Sequence, residues 1–228
     1  MMGRTVVISL GGSILFGENL DSSRIRGFAE AIERISKDNR VFVVVGGGWI
    51  AREYIKTARE LGSNETFCDY MGIEVTRLNA MLLSLAVRNS PKVVPKDFRE
   101  AYELSKHYPV VIMGGTFPGH TTDATSALLA EFVNAELLIN ATSVDGVYSE
   151  DPKKNRNAKR FERIKAKGLL EIVARNEAVA GTNTVMDLLS VKIIERSKIK
   201  TYIIKGTPEN LIRAVNDDVA GIGTVVEI

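Results

Sequence analysis

Five short runs rich in β-branched residues recur along the 228-residue chain, at 5–10, 41–45 ("VFVVV"), 109–113 ("PVVIM"), 136–141 ("ELLINA") and 200–204 ("KTYII"). Apolar-periodic segments lie between most of them. That alternation predicts an α/β fold, with a parallel sheet covered on both faces by helices. The segment 21–37 opens with capping side chains and sets Ile25, Phe28, Ala29, Ile32 and Ile35 on one stripe, as an amphipathic helix requires. A similar stripe follows Thr66 over 67–89, and 122–133 and 185–197 also read as helices. In "GTPENLIRAV" Thr207 is placed to cap a helix whose first residue is Pro208. No internal repeat and no Pro/Gly/Ser-rich linker divides the chain, so a single domain over 1–228 is expected.

Composition excludes several classes of function. With 30 basic and 28 acidic side chains the net charge is +2, which does not favour a nucleic-acid partner. The single cysteine, Cys68, cannot close an internal disulfide, and "MMGRTVVISLGG" is interrupted by glycine too soon to read as a signal peptide, so a cytoplasmic protein is expected. No apolar stretch approaches the roughly 20 residues that a membrane-spanning helix needs, so no membrane partner is expected. The stretch "KKNRNAKRFERIKAK" (153–167) carries eight basic residues against Glu162 alone. It reads as a solvated loop, or as a source of positive potential for a nearby anion site.

Glycines cluster where three of the predicted strands end: Gly11-Gly12, Gly46-Gly47-Gly48 and Gly114-Gly115. In an open parallel sheet the carboxyl ends of the strands form the ligand crevice, and bare backbone N–H groups there receive phosphates. Yet "TVVISLGGSIL" has no lysine after its glycines, so it is not the GxxxxGKS/T phosphate loop, and the positive charge must come from elsewhere. The two histidines, with no GxSxG, HExxH or CxxC, support neither a serine-hydrolase triad nor a zinc site. His107 in "LSKHYPV" reads as a surface residue. His120 stands between glycine turns and a helix start, clustered with Thr121, Thr122 and Asp123, where the Thr-Thr-Asp run is either a helix cap or a polar grip on a ligand.

Phosphoryl transfer suits a site without an obvious base. A phosphate acceptor, whose second pKa is roughly 6, is already mostly a dianionic nucleophile at neutral pH. What remains is to hold two anions in line and offset their repulsion with backbone N–H groups, an arginine and Mg²⁺. Arg52, one helical turn after "GGG", is the arginine placed for this.

Five motifs, "SLGGSIL", "VVVGGGWIAREYI", "ETFCDYMGIEVTRLNAMLL", "MGGTFPGHTTDATSALLAEF" and "ATSVDGVYSEDPKK", run in order from residue 5 and together resemble the amino acid kinase family. Within it they are most similar to the archaeal type of uridylate (UMP) kinase. The resemblance implies a three-layer αβα sandwich around a largely parallel sheet. It also implies ATP-dependent phosphorylation of UMP to UDP with Mg²⁺, and a homo-oligomer, usually a hexamer. The N-terminal part would bind UMP and the part from about residue 140 would bind ATP. Ser9, Leu10, Gly11, Gly12 and Ser13 match the loop that contacts ATP phosphates through backbone amides, with Gly12 close to the reacting groups. Gly47 would lie against the UMP phosphate, and Gly48 and Arg52 at the junction of the two nucleotides. Asp69 matches the acceptor of the ribose hydroxyls. Thr116, Phe117, Pro118, Gly119, His120, Thr121 and Thr122 match the uracil-side loop. Thr142, Ser143, Tyr148 and Asp151 match the ATP side, with Tyr148 beside the adenine. Asp123 matches the carboxylate that organises the phosphate-binding groups.

Two positions depart from the family pattern. Many members carry a lysine where this chain has Ser9, and related archaeal sequences more often have a polar or basic residue at Trp49, where an exposed tryptophan would either pack on a neighbouring subunit or narrow the site. The missing charge is assigned to Arg52, Mg²⁺ and the amides of Gly11, Gly12 and Gly48; Lys192 is a further candidate, with a surface position on its helix the preferred reading. Two other possibilities stay open: a same-fold kinase of another small phosphate, carboxylate or carbamate, and a nucleotide-binding relative without transfer activity. Arg52→Ala is expected to lower UMP turnover, read as ADP release; unchanged turnover would show that the positive charge comes from elsewhere.

Overall fold

A computed structural model describes residues 3–150, 152, 155, 157–177 and 185–228. In chain order the described elements are β1 (Thr5–Leu10), α1 (Gly12–Phe16), α2 (Ser22–Ile35), β2 (Arg40–Val45), α3 (Gly48–Glu60), α4 (Glu65–Ala86), α5 (Phe98–Ser105), β3 (Val110–Met113) and α6 (Thr122–Phe132). They continue with β4 (Leu137–Thr142), β5 (Arg163–Lys165), α7 (Ala166–Glu177), α8 (Leu188–Ser197), β6 (Thr201–Lys205), α9 (Pro208–Val215) and β7 (Gly223–Glu227).

The strands form one sheet in the order β3-β2-β1-β4-β6-β7-β5. The pairs β3/β2, β2/β1, β1/β4 and β4/β6 are parallel, and β6/β7 is antiparallel. The chain steps outward from β1 through β2 to β3, then returns to lay β4 on the other side of β1. That reversal makes the carboxyl end of β1 the topological switch point, where open α/β sheets bind ligands.

Alternate residues of each strand feed two cores. Val6, Ile8 and Leu10 of β1 point into one, with Phe28 and Ile32 of α2, Leu83 of α4 and Leu211 of α9. Val7 of β1 and Phe42 and Val44 of β2 point into the other, with Leu129 of α6, Leu169 of α7 and Ile194 of α8. This period-2 division makes the molecule three-layered. The predicted stripe of α2 is buried at every one of its five positions, and Asp21 caps the helix on Ser23 N–H. Thr207 caps α9 with Pro208 in its first turn, as expected.

Two helix starts differ from expectation. Helix α4 begins at Glu65 and is capped by Asn64, whose side chain accepts from Phe67 N–H, because Asn64 is the residue held in extended conformation there. Helix α8 begins only at Leu188, capped by Asp187 on Ser190 N–H.

Candidate functional site

The β1–α1 and β2–α3 loops meet backbone to backbone. A Cβ on Gly12 would stand 2.3 Å from the Gly48 nitrogen and 2.5 Å from the Gly46 oxygen, and Gly48 itself has φ +66°. Only glycine serves at either position. Gly11 N–H donates to the Ala141 carbonyl at 3.2 Å and Gly46 N–H to the Leu10 carbonyl at 2.9 Å, so β4, β1 and β2 are locked together beyond their ladders. Leu10 is fully buried, so its side chain belongs to the core and only its backbone reaches this edge. Helices α3 and α6 begin here, and their unpaired N–H groups and positive dipole ends face the same crevice.

Ser9 lies beside Val44 of β2 and Asn140 of β4 and is 2% exposed. Its hydroxyl donates to Asp123 Oδ1 at 2.9 Å. A lysine in its place would have added a charge; the serine gives the carboxylate one neutral hydrogen bond. Asp123 sits in the first turn of α6, which Thr121 caps by accepting from Ala124 N–H. The Thr121 hydroxyl also donates to Asp187 Oδ2, and Asp187 in turn caps α8. Asn140 donates through Nδ2 to the Val185 carbonyl at 2.9 Å, fastening the entry to α8 onto the sheet. Burial raises the Asp123 carboxyl from 3.8 to about 6, the Ser9 hydrogen bond opposes this, and the negative charge of Asp187 adds to it.

Helix α4 packs behind the β2–α3 and β3–α6 loops of the edge. Asn79, 1% exposed, donates to the carbonyls of Gly46 at 2.9 Å and Gly47 at 3.1 Å. Thr76 accepts from Gly115 N–H at 2.7 Å. Asp69, nearer the start of the same helix, accepts from Gly119 N–H at 2.8 Å.

The amino acid kinase family profile matches residues 4–205. This chain belongs to that family. It is 62% identical over 221 residues to the uridylate kinase of Archaeoglobus fulgidus, covering 97% of this chain and 99% of the relative. It is 45% identical over 225 residues to the uridylate kinase of Methanocaldococcus jannaschii, covering 97% and 99%. The crystal structure of the Archaeoglobus fulgidus uridylate kinase superposes with a TM-score of 0.89 at 61% identity, covering 97% of this chain and 99% of that one. The UMP kinase of Ureaplasma parvum superposes with a TM-score of 0.80 at 25% identity over the whole of both chains. The αβα sandwich around a largely parallel sheet is therefore the amino acid kinase fold, as the motifs implied.

Within this amino acid kinase, the expected site residues fall into three sets of contacts. Ser9, Gly11, Gly12, Gly47, Gly48, Asp123 and Thr142 gather at the strand ends, and the Thr122 hydroxyl comes within 3.5 Å of where a Gly46 Cβ would be. Ser13 and Arg52 are exposed beside them, on α1 and α3. Trp49 is half-buried, and its indole Nε1 is buried with no hydrogen-bond partner among the described residues. The second set joins Asp69 to the loop Thr116–Thr122, where the ring centroids of Phe117 and His120 lie 6.2 Å apart and Phe117 is exposed.

The third set lies around the end of β4 and the segment after it. Tyr148 donates to Asp145 Oδ1 at 2.8 Å, and Arg160 pairs with Asp145 Oδ2 at 3.0 Å. The Thr142 carbonyl accepts from Gly206 N–H at 2.8 Å, and Ser143 is exposed. Asp151, Lys153, Lys154 and Arg156 lie outside the described residues. In the rest of the basic stretch, Arg160 and Arg163 are engaged with Asp145 and Glu227. Lys192 and His107 are on the surface, as read.

Asp187, Asn140, Asn79 and Thr76 went unrecognised in the sequence. One signal existed for two of them: Thr76 and Asn79 are polar residues on the buried stripe of an apolar helix.

The raised carboxyl of Asp123 has a measurable consequence. A carboxyl whose folded pKa exceeds its unfolded one stabilises the fold below the unfolded value, and that contribution is lost as pH rises through the folded value. Asp123→Asn, neutral throughout, is expected to gain melting temperature relative to the wild type between about pH 4 and pH 6, with a constant lead above about pH 7. A difference that does not change with pH would show that Asp123 is not held in this state.

Proposed function

We propose that this chain transfers the γ-phosphoryl group of ATP directly to UMP, giving UDP and ADP in pyrimidine nucleotide synthesis in the cytoplasm. The observation that carries the proposal is the 62% identity over nearly the full length to a uridylate kinase. The glycine-lined edge supports it, since two phosphate chains can approach bare backbone there.

In the step, a non-bridging oxygen of the UMP phosphate bonds to the γ-phosphorus as the bond from that phosphorus to the β-bridging oxygen breaks. The leaving electron pair stays on ADP. The acceptor is already a dianion near neutral pH, so no residue is required as base. Ser9 to Ser13, with the amide of Gly48, would hold the triphosphate, and Gly47 the UMP phosphate. Arg52, exposed beside both, would offset charge between them. Asp123, held by Ser9, would orient the N-terminus of α6 and the groups around it. Asp69 and Thr116–Thr122 would take the nucleoside, and Thr142, Ser143, Tyr148 and Asp151 the ATP side.

Among the described residues no group of three or more His, Cys, Asp or Glu side chains could hold a metal ion. Mg²⁺ arriving with ATP would sit beside the Ser9–Ser13 loop and Arg52 and would supply charge neutralisation between the phosphates. No described helix is long and apolar enough to cross a membrane.

A homo-oligomer, with a hexamer as the expected number, is supported by α4. That helix buries Ile73, Ala80 and Leu83 on its inner face yet exposes Phe67, Leu78, Met81 and Leu85 on the outer one, with Leu85 63% exposed. An exposed apolar stripe of this kind marks an interaction surface, and the same stripe of a second copy of the chain would cover it.

ADP release with ATP and Mg²⁺ over UMP, dUMP, CMP, AMP, carbamate, acetylglutamate and isopentenyl phosphate tests the chemistry. Turnover of UMP far above the rest is expected, and preference for another acceptor, or no turnover, would overturn the proposal. Leu78→Glu is expected to lower the particle mass measured by light scattering, whereas an unchanged mass would remove α4 from the interface.

A further inference from the structure

We infer that Asn79 and Thr76, two buried residues of α4 behind the phosphate edge, are positioning residues that aim the backbone of both acceptor-side loops. The inference rests on the proposed function for the identity of the acceptor, and on geometry for the rest.

The geometry starts from the peptide group. In a planar trans peptide the C=O and the following N–H point in opposite directions, and the described backbone contains no cis bond. Asn79 Nδ2 draws the Gly46 and Gly47 carbonyls toward α4. The N–H groups of the same two peptides, those of Gly47 and Gly48, must then face away from α4. A Cβ on Gly12 would strike both the Gly48 nitrogen and the Gly46 oxygen, so the two peptides that Asn79 holds are the ones packed against the β1–α1 loop. An anion arriving there meets donors already oriented, with no peptide rotation needed on binding.

Thr76 acts three residues earlier on the same helix face. Its hydroxyl donates to the Ile73 carbonyl at 2.6 Å, which leaves an oxygen lone pair to accept from Gly115 N–H at 2.7 Å. The β3–α6 loop therefore leaves the sheet in a set direction. The approach is close: a Cβ on Gly114 would stand 2.6 Å from Thr76 Oγ1 and 2.7 Å from the Arg77 nitrogen. Thr76 Cγ2 would also lie 3.6 Å from a Cβ on Gly47, so one helix turn touches both loops. A purely apolar stripe would pack as well against the sheet. The two polar residues occur where the stripe meets glycine backbone, and their hydrogen bonds run to that backbone.

Steady-state kinetics of Asn79→Leu, which keeps the volume and removes the donor, test the inference with UMP and ATP varied separately. The expected result is a fall in kcat/KM for UMP of about 10-fold to 100-fold through the Gly47 amide, with a smaller rise in the KM for ATP through the Gly48 amide, which is also held by the first turn of α3. Wild-type values for UMP in a folded variant, or an equal loss toward both nucleotides, would overturn it. Should Asn79→Leu fail to fold, Thr76→Val and Thr76→Ser decide the matter. Loss toward UMP in the valine variant, with rescue by serine, supports positioning, and equal behaviour of the two overturns it. If the wild type proves inactive on UMP, the proposed function fails by itself, and titration with inorganic phosphate by calorimetry still judges this inference. Weaker phosphate binding by Asn79→Leu than by wild type supports it; equal or absent binding in both overturns it.

Discussion

Five neighbouring strands run in one direction, so each of their carboxyl ends lies on a single edge of the sheet. Everything else about the site depends on that alignment. It brings the N-terminal ends of α3 and α6, with their unpaired amides, to one crevice, and concentrates positive potential there. It also forces the β1–α1 and β2–α3 turns into the same small volume. Backbone can pack against backbone there only because Gly12, Gly46 and Gly48 carry no side chain.

Such an edge leaves polar groups beneath it that water cannot reach. An unpaired buried donor or acceptor costs about 1–3 kcal/mol, a large fraction of the net stability of a domain. The molecule meets this with a connected set of short polar side chains. Ser9 serves Asp123, Thr121 serves Asp187, Asn140 serves the Val185 carbonyl, and Asn79 serves two glycine carbonyls. The bonds of Ser9, Asn140 and Asn79 satisfy buried or part-buried groups, that of Thr121 lies nearer the surface, and each fixes the direction of a loop or a helix start. The serine at position 9 fits this scheme: a single neutral hydroxyl holds Asp123 while burial and Asp187 keep its carboxyl easily protonated.

Much of this was legible in the chain. The strands beginning near residues 5, 41, 110, 137 and 201 were bounded to within a residue or two, because β-branched runs fully buried between helices leave a dense apolar signature. Helices α2, α6 and α9 were equally plain from their caps and stripes. Strands β5 and β7 were not: each is short, and β5 pairs only with β7 at the edge of the sheet, so neither needs a strong local pattern. The start of α4 was placed late because Asn64, and not the later Thr66, holds the extended conformation of a cap. In the site, the glycine clusters and Asp123 stood out by position. Asp187 did not, since as a lone acidic residue ahead of an apolar segment it looks like any helix cap.

The sequence by itself determined the layers, the strands that fill them, and the edge where glycine turns collect, because apolar periodicity and glycine are local properties of the chain. Only the tertiary structure decided that Ser9 meets Asp123 across 114 positions and that Asn79 reaches back to Gly46 and Gly47. Those bonds are set by strand order and by which face of a helix meets a loop. Nothing local records them: a serine, an asparagine or an aspartate looks the same in the chain whether it faces water or closes a buried hydrogen bond.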